Sequence, residues 1–221
     1  MNSKTKKIVG IGLFTAIVLV LQFLGGGIKF GMFSISLVLL PIVVGAAVYG
    51  WQAGAWLGFV FGVAVLLSGD AAAFLAVDVL GTVLTVLVKG AAAGLCSGLA
   101  YKFVLILMDQ YSKGRMPMIK KNYDIGECCE DGVYKYISRN NRYFAVIAAA
   151  VICPIVNTGV FLLGCKLFFF ETIAQWGAAA GFKNAASYMF LGLAGTNFLI
   201  ELCTNLFLSP VIVRIISYAK K

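Results

Sequence analysis

The sequence predicts an all-α integral membrane protein, a single domain over residues 1–221 in which six transmembrane helices form a bundle with both termini in the cytoplasm. Three observations predict this fold class. Hydrophobic residues make up 61% of the chain and charged residues 12%, against roughly 25% charged residues in a soluble domain. The apolar residues form long runs, each close to the ~20 residues that cross a bilayer. The basic residues lie mostly between these runs, on one predicted side of the membrane.

The predicted spans follow one another with mostly short connections. They cover about residues 8–24, 33–49, 53–67, 79–107, 143–169 and 185–219. In the first span Gly12 and Ala16 stand four residues apart, a spacing of small residues that lets another helix approach closely. The glycine-rich run after it, residues 25–31, predicts a mobile loop that exposes Lys29.

The connection at residues 68–78 is too short and too acidic to cross a membrane, so it predicts a surface loop with one helical turn. Asp70 precedes that turn and Asp78 precedes the fourth span. Aspartate is a preferred helix N-cap because its carboxylate accepts hydrogen bonds from the free N–H groups of the first turn. Capping is the favoured role for both aspartates, and contact with a ligand is the alternative.

Polar side chains interrupt the later spans. The last span carries Asn197, Glu201 and Asn205 at intervals of four residues, which predicts a polar stripe along one helix face. A carboxylate at membrane depth costs at least ~2.5 kcal/mol and finds no partner in lipid. The stripe therefore forms a polar contact between helices or the wall of a substrate cavity. Lys89 in the fourth span is equally costly, so we expect it to pair with Glu201 or to share one hydrated cavity with it.

The one substantial polar segment covers residues 108–142, and it predicts a cytoplasmic loop with a short amphipathic helix near Val133–Ser138. Its basic residues suit a solvated loop, contact with anionic lipid headgroups or a docking surface. Cys128 and Cys129 lie in this segment without the CxxC spacing of a redox or zinc motif. Because the chain has no histidine, no metal site is expected.

The distribution of basic residues predicts the orientation. With six spans, both termini and the second and fourth connections share one side of the membrane. Fourteen of the 18 lysines and arginines fall on that side, whereas Lys29 and Lys183 fall on the other. The positive-inside rule then puts both termini in the cytoplasm. It also explains the net charge of +9 without nucleic acid as a partner.

The first, third and fifth connections would then face outward, over spans that hold polar residues. This arrangement predicts a small-molecule pocket that opens outward beneath mobile loops. The sequence has no phosphate-binding loop and no Ser–His–Asp set, so neither an ATPase nor a hydrolase is expected. Energy for uphill transport would come from an ion gradient or from another subunit.

Apart from residues 108–142, the chain resembles the substrate-binding S component of energy-coupling factor (ECF) transporters. The resemblance rests on the six spans, the cytoplasmic termini, the Gly12–Ala16 pair and the last span, which ends Asn205-Leu-Phe-Leu-Ser-Pro-Val-Ile-Val-Arg214. In that family an AxxxA motif in the first span packs against a transmembrane coupling subunit. Gly12 and Ala16 match this motif, with glycine in place of the first alanine.

The resemblance implies a vitamin-binding subunit of the bacterial cell membrane, without a cofactor of its own. It implies docking on one transmembrane coupling subunit and two ATPase subunits, and toppling in the membrane to carry the occupied pocket inward. The family's pocket lies among the outer loops and the outer halves of the later helices. By position this implies a substrate site of eight residues: Lys29, Asp70, Asp78, Lys89, Asn157, Trp176, Asn197 and Glu201. Asn157, Asn197 and Lys89 are the first candidates, whereas Glu201 could lie too deep and tie helices together instead.

The expected substrate is pantothenate or riboflavin. Trp176 and Phe74 suit the stacking of a flat ring such as a flavin or pterin, and Lys29 or Lys89 suits pairing with the carboxylate of pantothenate or folate. Two other functions stay open: an autonomous ion-coupled carrier that uses Glu201 and Lys89, and a membrane assembly protein or enzyme. The lack of an evident inverted repeat argues against the carrier, and the lack of a catalytic acid–base set argues against the enzyme.

Overall fold

The computed structural model describes residues 3–25, 29–30, 33–34, 37–123 and 127–219, with side chains at 4–25, 37–114, 140–195 and 197–214. Within these ranges almost the whole chain is helical. The elements in chain order are α1 (Ser3–Gly25), β1 (Lys29–Phe30), β2 (Phe33–Ser34), α2 (Leu39–Tyr49), α3 (Trp51–Leu67), α4 (Ala72–Leu75), α5 (Val79–Tyr123), α6 (Glu127–Phe168), α7 (Phe170–Ala179), α8 (Ala185–Ser187), a π-helix (Tyr188–Gly195) and α9 (Thr196–Ala219).

Four helical segments of the described chain are long and apolar enough to cross a membrane. They are Lys4–Gly25, Val79–Gly114, Asn140–Phe168 and Ala185–Arg214. The other two predicted spans correspond to the shorter apolar helices α2, with 11 residues, and α3, with 17 residues. At 1.5 Å per residue, α2 is only about 16 Å long, against a hydrocarbon core of about 30 Å. The structure thus gives a helical membrane protein with four segments of spanning length.

The second predicted span begins later than the sequence indicated. Residues 33–49 were expected to be one helix, but β1 and β2 form a short antiparallel hairpin in which Lys29 pairs with Ser34, and α2 begins at Leu39. Pro41, the third residue of α2, explains the position of this start, because a proline lacks the N–H that an interior helical position would need.

The polar segment at residues 108–142 is largely helical rather than a loop. Helix α5 continues to Tyr123 and α6 begins at Glu127, while residues 124–126 lie outside the described part of the chain. Extending a helix that a buried span has already nucleated is easier than starting a new one, and Lys, Arg, Met and Glu are good helix formers. At 45 residues, α5 is about 68 Å long, more than twice the thickness of the hydrocarbon core.

The connection at residues 171–184 also holds a helix. In α7 the buried residues Ile173 and Gly177 stand four apart and face the protein, which is the pattern of an amphipathic surface helix. The chain then turns at Gly181, whose φ of 81° favours glycine, and Asn184 caps α8 by accepting a hydrogen bond from the N–H of Ser187.

Glycines bring α3 and α5 into backbone contact. A Cβ at Gly54 would overlap the carbonyl oxygen of Gly94, and a Cβ at Gly58 would overlap that of Gly90. Small residues four apart on both helices are the usual means of close helix packing in membranes. This contact fixes the relative position of the two side chains beside it, Phe61 and Lys89.

The buried apolar residues form two clusters. The larger one joins α1, α2, α3, α5, α6 and α9 through residues such as Val18, Ile42 and Leu57. The smaller one is mainly aromatic and joins α4, α6, α7 and the π-helix around Phe74 and Phe169. A cavity lies between the two clusters, with residues of both in its wall.

Candidate functional site

The cavity between the two clusters measures about 640 Å³, its open mouth included. Helices α1, α3, α5, α6 and α9 and the connection at residues 68–78 contribute to its wall. The polar lining residues are Gln22, Asp70, Thr82, Thr85, Lys89, Asn157, Asn197 and Glu201. The other lining residues are Phe61, Val65, Ala71, Phe74, Val86, Phe161, Cys165 and Phe169.

The polar stripe of α9 reaches the cavity with its first two residues. Nδ2 of Asn197 donates a hydrogen bond of 3.3 Å to Oε1 of Glu201, one helical turn further on. Glu201 is 2% exposed, and its Oε2 has no hydrogen-bond partner among the described residues. Asn205 is also buried, but it lies outside the cavity wall, and its Nδ2 is likewise without a partner in the described chain. The stripe therefore contributes a carboxylate and an amide to the cavity and a second amide to the helix interface.

Asn157 of α6 faces the same carboxylate from the neighbouring helix. Its side chain is 5% exposed and interacts with Glu201. Its Oδ1 accepts no hydrogen bond from the described residues, and neither does the buried hydroxyl of Thr85. Because a buried polar atom without a partner costs about 1–3 kcal/mol, three such atoms around one cavity need an explanation.

Lys89 lies close to two aromatic rings of the wall. Its Nζ lies 5.9 Å from the ring centre of Phe61 and 5.2 Å from that of Phe161. Cation–π contacts of this kind stabilise a partly buried ammonium group. Glu201 and Asp70 act on the same ammonium electrostatically. The structure thus brings Lys89 and Glu201 to one cavity, the second of the two arrangements expected from the sequence.

The two aspartates of the 68–78 connection differ in role. Oδ1 of Asp78 accepts a 3.0 Å hydrogen bond from the N–H of Leu80, so Asp78 caps α5 as expected, and it lies outside the described cavity wall. The capping role expected for Asp70 is wrong, because α4 receives no side-chain cap. Asp70 instead accepts hydrogen bonds of 2.6 Å from Gln22 and 3.2 Å from Ser68, and its side chain lines the cavity.

An aromatic cluster closes the cavity beside α4. The ring of Phe74 meets those of Phe161, Phe169 and Trp176 edge to face, at centroid distances of 5.8, 5.1 and 5.5 Å. Phe74, Phe161 and Phe169 line the cavity, whereas Trp176 lies behind Phe74 and outside the described wall. Trp176 therefore meets the cavity wall through the ring of Phe74.

The remaining predicted residues are Lys29, Gly12 and Ala16. The side chain of Lys29 lies outside the described residues. Gly12 and Ala16 are exposed on the outer surface of α1. No neighbouring atom of the described chain lies within 4 Å of the position that a Cβ on Gly12 would occupy. A face of small residues is thus available for another helix.

Several lining residues were missed from the sequence. Thr82 and Thr85 precede the predicted Lys89 at helical intervals, three residues from Thr82 to Thr85 and four from Thr85 to Lys89. A helix puts all three on one face, so the two threonines could have been predicted from the sequence. Gln22 is the polar residue near the end of the first span, and it was readable in the same way. Phe61, Phe161 and Cys165 could not be identified as lining residues from the sequence, because apolar residues occur throughout every span.

The arrangement is suited to binding. The described lining residues offer one ammonium group, two carboxylates, amides and hydroxyls against an aromatic surface, the mixture that orients a small polar ligand. Among the described residues no group of three His, Cys, Asp or Glu side chains could hold a metal ion.

Comparison with known proteins gives one match. The family model for the substrate-specific component of ECF transporters matches residues 6–213. No curated protein and no solved structure matches the chain. The family match covers nearly the whole chain and agrees with the resemblance read from the spans. The chain belongs to the family of ECF transporter substrate-specific components.

Proposed function

We propose that the chain captures a small water-soluble vitamin, or a related micronutrient, at the outer face of the membrane and delivers it through a shared ATP-driven module. The observation that carries this proposal is the cavity bounded by Lys89, Asn157, Asn197 and Glu201, in a chain of this family. ATP hydrolysis would belong to the separate ATPase subunits, and this chain would act as a binding protein without enzymatic activity.

The unpaired atoms of the wall support a ligand site. Oε2 of Glu201, Oδ1 of Asn157 and Oγ1 of Thr85 are buried without a partner in the described chain. Leaving them so is unfavourable unless a ligand or water completes their hydrogen bonds. Asn205, whose Nδ2 is also unpaired in the described chain, lies outside the cavity wall.

The position of the cavity supports capture from outside. Gln22 lies near the C-terminal end of α1, Asp70 and Phe74 lie between α3 and α5, and Phe169 lies between α6 and α7. The cavity is therefore at the end of the bundle away from the N-terminus. If the chain crosses the membrane six times with both termini in the cytoplasm, as the basic residues favour, this end faces outward.

The exposed small residues of α1 support a docking role. A helix of the transmembrane coupling subunit could approach α1 at the exposed Gly12 and Ala16, since the described chain leaves the space beside Gly12 open. Two ATPase subunits would complete the transporter in the bacterial cell membrane.

Pantothenate and riboflavin are the specific candidates. Pantothenate would place its carboxylate at Lys89 and its hydroxyl groups at the amides. Riboflavin would place its flat ring against Phe61, Phe74 and Phe161 and its N–H and hydroxyl groups at Asn157 and Glu201. Both molecules carry enough hydrogen-bond donors to serve the unpaired atoms.

The direct test is purification of the tagged chain from its native membrane in mild detergent, with identification of co-purifying proteins and extracted small molecules. We expect a second membrane subunit, two ATPases and a vitamin. A chain that repeatedly comes out alone and without a small molecule would refute the proposal.

The shared location of Lys89 and Glu201 favours one alternative, an autonomous ion-coupled carrier in which this pair binds the coupling ion. Proteoliposomes that hold only this chain separate the two functions. The carrier takes up substrate along an imposed proton or sodium gradient, whereas the binding subunit binds substrate but does not accumulate it.

A further inference from the structure

The charges in the cavity wall constrain the ligand. The described lining residues include one cation, Lys89, and two carboxylates, Asp70 and Glu201, which give a formal charge of −1. If Glu201 holds a proton, the sum is zero. In neither state does the described wall have excess positive charge, although an anion taken out of water needs such compensation.

The one ammonium group among the described lining residues, that of Lys89, is already engaged. Lys89 contacts the rings of Phe61 and Phe161 and interacts electrostatically with Glu201 and Asp70. At Lys89 an anionic ligand would have to compete with the carboxylates of Glu201 and Asp70. The two aromatic rings close to Nζ would also restrict the approach of such a ligand.

With Glu201 ionised, the unpaired atoms of the described wall are mostly hydrogen-bond acceptors, which need donors from a ligand. Oδ1 of Asn157 and Oε2 of Glu201 belong to side chains that are each more than nine-tenths buried, and neither oxygen has a partner in the described chain. The hydroxyl of Thr85, equally buried and unpaired, can donate or accept. The Asp70 carboxylate differs, because Gln22 and Ser68 already donate to it.

We infer that the substrate is an uncharged or cationic molecule whose N–H or O–H groups donate hydrogen bonds to Glu201 and Asn157 while its apolar part lies against Phe61, Phe74 and Phe161. This inference rests on the proposed function and narrows it. Of the two candidate vitamins it favours riboflavin, which is neutral, flat and rich in hydrogen-bond donors, over pantothenate, which carries a carboxylate. Glu201 and Asn157 become the residues that determine specificity.

The inference is tested with the full chain, purified and placed in lipid nanodiscs. Equilibrium binding is measured by calorimetry for three probes: riboflavin, which is neutral, thiamin, which is cationic, and pantothenate, which is anionic. Glu201→Gln removes one negative charge and replaces one acceptor oxygen by a donor. It should weaken binding of riboflavin or thiamin by roughly 10- to 100-fold, the cost of a hydrogen bond to a charged group.

Glu171→Gln is the matched control, because Glu171 is exposed on α7 and lies outside the described cavity wall. It should bind as the natural protein does. Thr85→Val is a second variant that keeps the shape and charge of the wall. Folding of both variants is checked by gel filtration and thermal unfolding. If Glu201→Gln does not fold, the binding measurements are made on Thr85→Val instead.

Riboflavin or thiamin binding that Glu201→Gln or Thr85→Val weakens supports the inference. Pantothenate binding that Glu201→Gln leaves unchanged or strengthens overturns it, and the proposed function stands. If the folded chain binds none of the three vitamins and no ATPase co-purifies with it, both the proposed function and the inference are refuted.

Discussion

Asn197 holds one oxygen of Glu201 and leaves the other for the cavity. The 3.3 Å hydrogen bond from Nδ2 of Asn197 to Oε1 of Glu201 joins two residues one turn apart on α9, and Oε2 has no partner in the described chain. A half-paired carboxylate is thereby fixed in orientation while it keeps the capacity to bind a ligand. Pre-orientation of this kind lowers the entropy lost when a ligand binds.

Asn197→Ala should therefore lower both stability and affinity. It leaves the buried Glu201 carboxylate without its described hydrogen bond, at a cost of about 1–3 kcal/mol. We expect a lower apparent unfolding temperature in detergent and weaker vitamin binding. Gln175→Ala, at an exposed position of α7, is the control and should change neither quantity. An Asn197→Ala protein that unfolds at the wild-type temperature would contradict this role.

Trp176 should report on ligand binding without touching the ligand. Its ring lies 5.5 Å from that of Phe74, which lines the cavity, and it is not itself in the described wall. In a Trp51→Phe, Trp56→Phe background, Trp176 is the one remaining tryptophan. Addition of ligand should change its emission.

Phe74→Leu removes the ring that joins Trp176 to the cavity, so the emission change should shrink while binding, measured by calorimetry, persists at lower affinity. Trp176→Phe should lower the affinity less than Phe74→Leu does. An equal or larger loss in Trp176→Phe would mean that the tryptophan contacts the ligand directly, as the sequence first indicated.

The contrast between Asp78 and Asp70 illustrates what the sequence could predict. The cap at Asp78 depends only on the residues next to it, so local reasoning found it. Asp70 takes its role from Gln22, 48 residues earlier, and no local pattern contains that contact. The same holds for Phe61 and Phe161, whose place beside Lys89 is set by the way α3, α5 and α6 pack. Polar residues in apolar spans could be read as site candidates because burying them is costly, whereas aromatic residues there could not.

The ends of the helices are a second feature that the sequence predicted only in part. The positions of the spans followed from hydropathy, but the continuation of α5 to Tyr123 did not, because hydropathy reports where lipid ends and not where the helix ends. The late start of α2 is the reverse case. There the chain is apolar enough for a span, yet Pro41 and the hairpin before it fix the first helical turn further along.

The backbone contact between α3 and α5 predicts a large difference between two glycine substitutions. A Cβ at Gly58 would overlap the carbonyl oxygen of Gly90, whereas nothing lies within 4 Å of a Cβ at Gly159 on α6. Gly58→Ala should destabilise the protein by about 1–3 kcal/mol through overpacking. Gly159→Ala should be neutral or slightly stabilising, since alanine favours helix. The measurement is thermal unfolding of both variants in the same detergent. Equal unfolding temperatures would contradict the close contact between α3 and α5.

The exposed small residues of α1 lead to the last prediction, which separates docking from binding. Gly12→Leu adds a large side chain where the space around the helix is open within this chain, so the protein should fold and bind its vitamin normally. On a partner helix packed against Gly12 and Ala16, the same side chain would prevent close approach, and co-purification of the coupling subunit and the ATPases should be lost. Gly159→Leu is the matched control, because Gly159 is also exposed with open space around it. If Gly12→Leu retains the whole complex, or if Gly159→Leu loses it equally, the docking surface is not the Gly12–Ala16 face of α1. Loss of the complex in Gly12→Leu alone, with vitamin affinity unchanged in the isolated chain, would assign the two functions to separate parts of the molecule.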